Sequence, residues 1–208
     1  MKVLLIPLAI SLVLLAACGG DKPSESSTAA PETGGSEAVS NSNSEAPASN
    51  GLPAGLFLAS APADPQNITA VKGKVAPGDA ITLRGRIGGR GKPIVAGKAA
   101  FTIADGTAIA ACDVRPDDMC SEPWDYCCEE PAAKLAATAS VQVLDANGKV
   151  LDADLNGTND IAPGVHVVVS GTVAEGSNET VLLVNASGIY VDTAAKPDVP
   201  EGLAAAEH

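Results

Sequence analysis

The sequence is poor in aromatic residues, which make up 2% of the chain as one Trp, two Tyr and two Phe. This scarcity leaves few side chains that can both fill a core and form a stacking platform for bases. Positive charge is also scarce, because 13 Lys and Arg stand against 25 Asp and Glu, for a net charge of −12. A chain this acidic repels nucleic acid phosphates, so we expect no nucleic acid partner.

Motifs that carry catalysis are missing as well. The sequence has no Gly-x-Ser-x-Gly turn, no His-Glu-x-x-His pair and no glycine-rich phosphate loop, and its two histidines, His166 and His208, are far apart in sequence. From the absence of these motifs we predict a protein that is not an enzyme and that carries no cofactor.

Beyond the N-terminal segment there is no apolar run long enough to span a membrane.

The N-terminal segment has the pattern of an export signal. Met1-Lys2 precedes an apolar run from Val3 to Leu15 and small residues before Cys18, which is typical of a secretory signal rather than of a transmembrane helix. The sequence Leu15-Ala-Ala-Cys18 resembles the bacterial lipobox. That resemblance implies that residues 1–17 are removed and that lipidated Cys18 anchors the exported protein in a membrane of the cell envelope. Gly19, rather than Asp, favours the outer membrane over the inner one, with the protein facing the periplasm or the cell surface.

Composition divides the remainder into a tether, a domain and a tail. Residues 18–50 are mostly Ser, Ala, Gly, Glu, Pro, Thr and Asn, with Val39 as the one large apolar residue. Such a segment buries too little surface to offset its chain entropy, so we predict a disordered tether. Residues 51–191 carry the regular apolar patterns of a folded domain. Residues 192–208 form a tail of Pro, Ala and acidic residues that we also expect to be disordered.

The domain reads as all-β. In residues 80–87, Ile81, Leu83 and Ile87 alternate with the outward residues Arg84 and Arg86, which is the period of a half-buried strand. Asn147-Gly148 favours a type I′ hairpin. Further strands are predicted at 99–105, 107–112, 140–144 with 149–151, 165–173 and 180–191, and short helical segments at 68–72 and 132–139. Leu56, Phe57 and Leu58 are expected to dock onto the domain edge. Five or six strands with little helix predict a small closed barrel.

Two sets of motifs carry family resemblances. The glycine within Ile81–Ile87 and the unit Val169-Ser-Gly171-Thr-Val173 resemble the first and fourth strands of the OB-fold, which implies a five-stranded barrel. The phrase Cys120-Ser-Glu-Pro-Trp-Asp-Tyr-Cys-Cys128-Glu, with Arg84–Gly89 and Gly188–Val191, resembles a set of small exported OB-like lipoproteins of planctomycete bacteria. This second resemblance implies fold and location, and it implies no activity.

A cysteine-rich insertion, residues 112–131, interrupts the barrel pattern. It holds Cys112, Cys120, Cys127 and Cys128, whose spacing lacks the C-x2-4-C pairs of zinc sites. Neighbouring Cys127 and Cys128 are too close for a relaxed mutual disulfide. We therefore predict two structural disulfides and no metal ligands, as Cys112–Cys127 with Cys120–Cys128 or as Cys112–Cys128 with Cys120–Cys127.

An alternative is a metal-binding or redox protein centred on this insertion. Carboxylates crowd the same loop and attract cations, although their spacing matches no calcium loop. They are Asp113, Asp117, Asp118, Glu122, Asp125, Glu129 and Glu130. The alternative requires free thiols, whereas the stapled loop requires full oxidation.

Four residues are candidates for ligand binding. Trp124 and Tyr126 are two apart and share a face in extended chain, and Arg84 and Arg86 share the outer face of the first strand. Each also suits a plain role, the aromatics in packing the insertion and the arginines as a solvated face near its acidic residues. OB-folds bind oligosaccharides through such faces and loops. We predict a membrane-anchored lipoprotein with an OB-like envelope binding module, whose partner is an envelope protein or a polysaccharide.

Overall fold

A computed structural model of the chain describes residues 51–116 and 118–204. The predicted signal segment 1–17, the predicted lipidation site Cys18, the predicted tether 18–50 and the end of the predicted tail at 205–208 lie outside the described residues. Asp117 of the insertion lies outside them too. In the part that is described, no helix combines the length and the apolar character needed to cross a membrane.

Within residues 51–116 and 118–204, five strands close into a barrel. They are β2 (Ala80–Ile87), β3 (Ala100–Ala104), β4 (Thr138–Gln142), β5 (His166–Val173) and β6 (Leu183–Asp192). Around the barrel they run in the order β2-β3-β4-β6-β5, and β5 pairs back to β2. The β4–β6 contact is parallel and the other barrel contacts are antiparallel. A short strand β1 (Gln66–Asn67) adds in parallel to β2. The predicted OB-like barrel of five to six strands is confirmed.

Within the described residues, helical structure is limited to short segments, which lie between strands or, for the last one, after the final strand. The two segments predicted near 68–72 and 132–139 are present with slightly different ends. The helices are α1 (Ile68–Val71), α2 (Pro131–Ala137) and α3 (Glu201–Ala204), with 3-10 turns at Cys112–Val114 and Thr158–Asp160. Helix α2 begins with a proline at its first turn, where the missing amide proton costs nothing.

Aliphatic side chains fill the barrel as the alternation predicts. Ile81, Leu83 and Ile87 are buried on the inner face of β2. All the remaining barrel strands also contribute buried residues to this core, including Phe101, Ile103, Val141, Val167, Val169, Val184 and Ile189. The predicted docking of the first described segment is confirmed, since the amide of Leu58 donates to the carbonyl of Ile189 at 2.9 Å. The barrel thus has one continuous apolar core.

The close approach of β6 to β5 explains why the Val-x-Gly-x-Val unit has a glycine, Gly171, at its centre. A β-carbon at this position would lie 2.1 Å from the carbonyl oxygen of Asn185 on β6. The register of β5 against β6 also shifts between Ser170 and Gly171, which marks a bulge. The glycine therefore allows the two strands to approach where the barrel bends.

The strand predicted at 107–112 is wrong. Asp105, at the end of β3, is buried and turns the chain instead: its carbonyl accepts from the amides of Ala108 and Ile109, at 3.1 and 3.2 Å. One carboxylate oxygen accepts from the hydroxyl of Thr107 at 2.6 Å and the other from the hydroxyl of Thr69 at 2.7 Å. An aspartate that satisfies neighbouring amides locally replaces a strand ladder with a turn.

The hairpin at 140–151 is also less regular than predicted. Its return strand is reduced to a single bridge between Leu144 and Val150. Gly148 has a positive φ of 76°, but Asn147 does not, so the turn is not type I′. The Asp145 carboxylate organises it by accepting from the amides of Asn147 and Lys149, at 2.8 and 2.9 Å.

The tail beyond β6 is described as far as residue 204. Asp198 lies beside Gly106, where a β-carbon would come within 2.9 Å of the Asp198 β-carbon. Its carboxylate is 3.9 Å from Nδ1 of His166 on β5. This part of the tail therefore contacts the barrel surface.

Candidate functional site

Tyr126 anchors the insertion to the barrel. It is 1% exposed and packs with Ala104, Ile109, Ala111 and Ala137 in a small core of its own, separate from the barrel core. Its hydroxyl is buried and finds no hydrogen-bond partner among the described residues. Burial raises the pKa of Tyr126 to about 12, so the phenol is neutral at physiological pH. One large side chain therefore supplies much of the apolar contact that holds the insertion in place.

Arg86 makes the second connection between barrel and insertion. Its two terminal nitrogens donate to the two carboxylate oxygens of Asp113 at 2.8 and 2.5 Å, and its Nε donates to the carbonyl of Gly164 at 2.7 Å. Although Arg86 was predicted to face outward, it is only 5% exposed. A bidentate arginine–carboxylate pair has a fixed geometry, so it sets the position of the residue after Cys112.

The two arms of the insertion are joined by backbone hydrogen bonds. The amide of Cys112 donates to the carbonyl of Asp125 at 2.8 Å, and the amide of Asp113 donates to Pro123 at 3.1 Å. Glu129 closes the base, since its carboxylate accepts from the amide of Ala110 at 2.8 Å. The cysteines at 112 and 127 are therefore held on adjacent pieces of fixed backbone.

The four cysteines of the insertion lie together as free thiols. Sγ of Cys112 is 3.5 Å from Sγ of Cys127, and Cys127 is 3.9 Å from the sulfurs of both Cys120 and Cys128. A disulfide bond is about 2.05 Å long. In the described structure neither predicted disulfide is formed, because no sulfur pair is at bonding distance. These cysteines were correctly predicted to lie in one loop. Their spacing along the sequence did not predict that three of the thiols converge.

The thiols differ in burial. Cys112 is 3% exposed, Cys120 is half-buried, and Cys127 and Cys128 are exposed. Burial raises the pKa of the Cys112 thiol well above its ordinary value, and the neighbouring Cys127 raises that of Cys128. Reactive redox cysteines have a lowered pKa and an exposed thiolate. The environment of Cys112 is therefore unlike that of a catalytic redox cysteine.

Trp124 forms one wall of an open cleft of about 340 Å³. Its indole nitrogen donates to the carbonyl of Gly91 at 3.0 Å, which fixes the ring against the β2–β3 loop. At Gly88 a β-carbon would lie 2.5 Å from the Trp124 carbonyl oxygen, so this glycine lets the insertion approach the loop. The other residues lining the cleft are Lys92, Pro93, Ile94, Ala96, Glu122, Asp154, Asn156 and Pro163. The cleft thus combines an aromatic ring and prolines with carboxylates and an amide.

Arg84 lies in a second, more polar groove of about 260 Å³ on the outside of β2 and β5. Its Nε donates to the side chain of Asn67 at 2.5 Å. His166 lies across the groove; its Nε2 is buried without a partner among the described residues, and burial lowers its pKa. Asp192, Lys196 and Asp198 bring both signs of charge to the same groove. It therefore has no net preference for an anion.

The structure separates the four candidate ligand-binding residues. Arg86 and Tyr126 are buried and hold the insertion, Trp124 lines the cleft, and Arg84 lines the polar groove. Asp154 and Asn156 were not predicted as ligand-binding residues, although they line the cleft. They come from the β4–β5 loop, and no local pattern connects them to Trp124, which lies about thirty residues away.

Comparison with known proteins gives no relative: no protein-family model, no curated protein and no solved structure is significantly similar to this chain. No activity or partner is therefore transferred from another protein.

Proposed function

We propose that this protein is a non-enzymatic, membrane-anchored lipoprotein of the bacterial envelope, whose OB-like barrel binds an uncharged polysaccharide in the cleft at Trp124. The export pattern and the lipobox resemblance at Cys18 support the anchoring. The resemblance to exported planctomycete lipoproteins supports the same location. The barrel fold is consistent with a binding module, since OB-folds bind oligosaccharides through loops that include the one between their first two strands.

The observation that carries the proposal is the composition of the cleft around Trp124. The half-buried indole is fixed by its hydrogen bond to Gly91, so no rotamer freedom is lost when a ligand packs against it. A sugar ring presents an apolar face to an aromatic ring and hydroxyl groups at its edge. Glu122, Asp154 and Asn156 supply acceptors and a donor for such hydroxyls beside Trp124.

Charge narrows the ligand class. The chain carries a net charge of −12, and two carboxylates line the cleft against one lysine, Lys92. An anionic polymer would be repelled by this surface, and an uncharged one would not. Nucleic acids and acidic polysaccharides are therefore poor ligands under this proposal.

The binding test compares Trp124→Ala with Tyr190→Ala, which removes a partly exposed aromatic side chain from β6. Chain from residue 18 onward, carrying Cys18→Ser, is screened on an array of neutral and acidic glycans, and hits are titrated by calorimetry. We expect Trp124→Ala to weaken binding about tenfold or more, since aromatic anchors often contribute about 2 kcal/mol. Tyr190→Ala should bind as the parent does. Equal binding by Trp124→Ala, or no neutral glycan bound by the parent, would contradict the proposal.

Anchoring is tested separately. The full chain expressed in a diderm bacterium should incorporate labelled palmitate and fractionate with the outer membrane. Cys18→Ser should lose both properties, and retention of the label in that variant would exclude Cys18 as the lipidated residue.

A further inference from the structure

We propose that Cys112, Cys120 and Cys127 form a thiolate site for a soft d10 metal ion, with Zn²⁺ and Cu⁺ as the two ions to be distinguished. The three sulfurs lie within 4.8 Å of one another. This site lies beyond the glycan-binding function and does not depend on it.

The spacing of the sulfurs fits a metal ion better than it fits a disulfide. With a Zn–S bond of about 2.3 Å, two sulfurs on one tetrahedral ion are about 3.8 Å apart. The Cys112–Cys127 and Cys120–Cys127 distances are 3.5 and 3.9 Å. To form a disulfide, the two sulfurs of a pair would have to approach to about 2.05 Å from each other. To bind a metal ion, the sulfurs would have to move very little.

The backbone around the thiols is already fixed. Cys112 begins a 3-10 turn, its amide is bonded to Asp125, and the next residue is held by Arg86. Cys127 follows the buried Tyr126 directly. Such supporting contacts orient the ligands of a metal site and typically change its affinity about 10–100-fold when removed.

Cys120 comes from a third piece of chain. Its amide donates to the Asp118 carboxylate at 2.7 Å, which holds the cysteine in its turn. Three ligands from three separately held segments converge without a C-x-x-C knuckle, and this explains why sequence spacing gave no zinc motif.

Electrostatics around the site favours a cation. The insertion is rich in carboxylates, and its basic residue Arg115 is paired with Glu129. Asp118 Oδ2 lies 3.6 Å from the sulfur of Cys128, at the exposed side of the cluster. Negative surroundings stabilise a bound cation, and thiolate ligands select soft ions over calcium or magnesium.

Cys128 is the matched control within the cluster. Its sulfur is 3.9 Å from that of Cys127, but it is not part of the mutually close group of three. The site therefore has three sulfur ligands, and water or another donor would complete the coordination of a tetrahedral ion. Binding of a divalent ion to three thiols releases one proton from each, and the products are a metal tris-thiolate with a net charge of −1 and three protons.

The test uses the full chain with Cys18→Ser, exported to an oxidising compartment and purified without chelator. Native mass spectrometry and elemental analysis should find one metal ion per chain and a protein mass equal to the reduced chain. Zn²⁺ and Cu⁺ are then titrated in separate experiments against a competing chelator. Cd²⁺ charge-transfer absorbance counts the thiolates and should indicate three.

Variants distinguish the ligands from the neighbouring thiol. Cys112→Ser, Cys120→Ser and Cys127→Ser should each weaken metal binding about tenfold or more, and Cys128→Ser should change it less than about threefold. Cys120 is half-buried, so its variant is the one to interpret if Cys112→Ser does not fold. Trp124→Ala should keep full metal affinity, which separates this site from glycan binding. A metal-free chain lighter by two hydrogens per disulfide would overturn the proposal, and so would an equal loss in Cys128→Ser.

Discussion

The barrel and its cysteine-rich insertion are stabilised in different ways. In the barrel, strands pair over long ladders, as β2 does with β5 from Ala80 to Arg86, and many aliphatic side chains share one core. The insertion is held by a small core, in which Tyr126 packs against Ile109 and alanines of the flanking segments, and by one bidentate ion pair. Stability in the barrel is distributed, and stability in the insertion rests on a few residues.

Because of this difference, the barrel acts as the scaffold and the insertion carries the chemically reactive groups. In a distributed core, a single volume-conserving exchange of one aliphatic side chain for another costs little, because the surrounding packing is kept. A loop held by few contacts is sensitive to each of them, and it also presents groups whose state depends on pH, oxidation or metal. Both proposed binding sites of this protein accordingly involve the insertion.

The largest expected effect is on Tyr126. Tyr126→Ala should destabilise the insertion by about 3–5 kcal/mol, because it empties a fully buried aromatic site. Hydrogen exchange should show lost protection at the amides of Cys112 and Asp113, while the β2 and β5 amides remain protected. Tyr126→Phe is the control and should be neutral or slightly stabilising, since the hydroxyl is buried without a partner among the described residues. Uniform loss of protection across the barrel would show that the two regions unfold as one.

A substitution at Gly171, in the barrel, is expected to destabilise the whole fold and not the insertion alone. Gly171→Ala should lower the free energy of unfolding by about 3 kcal/mol, because the added methyl group would meet the Asn185 carbonyl. Urea unfolding should show the loss in the global transition. Gly202→Ala is the matched control, since nothing lies within 4 Å of a β-carbon there. If Gly171→Ala unfolds at the urea concentration of the parent, the close approach of β5 and β6 is not required.

The smallest effects are two pH windows, one for each region. Burial raises the pKa of Tyr126 from 10.0 to about 12, so its contribution is complete below about pH 10 and is lost as the pH rises toward 12. Burial lowers the pKa of His166 from 6.5, so stability is lost as the pH falls below about 6.5. Urea unfolding across pH should lose the alkaline slope in Tyr126→Phe and lose part of the acid slope in His166→Gln. A variant with the slope of the parent would remove that residue as the cause.

Much of the fold was predictable because strand alternation is a local property. Ile81, Leu83 and Ile87 face the core as predicted. The strand predicted at 107–112 failed because Asp105 satisfies the following amides within the turn. The formation of this turn also depends on Thr69, whose hydroxyl donates to the Asp105 carboxylate from a distant segment of the chain.

The candidate site was predictable in place but not in arrangement. The density of Cys, Trp and Tyr marked residues 112–131 as the segment of interest. The burial of Arg86 could not be predicted, because its partner Asp113 is 27 positions away and neither residue has a local pattern that signals the pair. The same holds for Trp124 and the cleft residues Asp154 and Asn156.

Short-range patterns in the sequence were enough to predict the strands with their inward aliphatic residues and the position of the insertion. Each of these features depends on neighbours a few residues apart. The packed chain was needed to show which strands close the barrel, that Arg86 turns inward to Asp113, and that three thiols converge without bonding. These outcomes depend on contacts between distant segments, whose free energies are known only once the chain is packed.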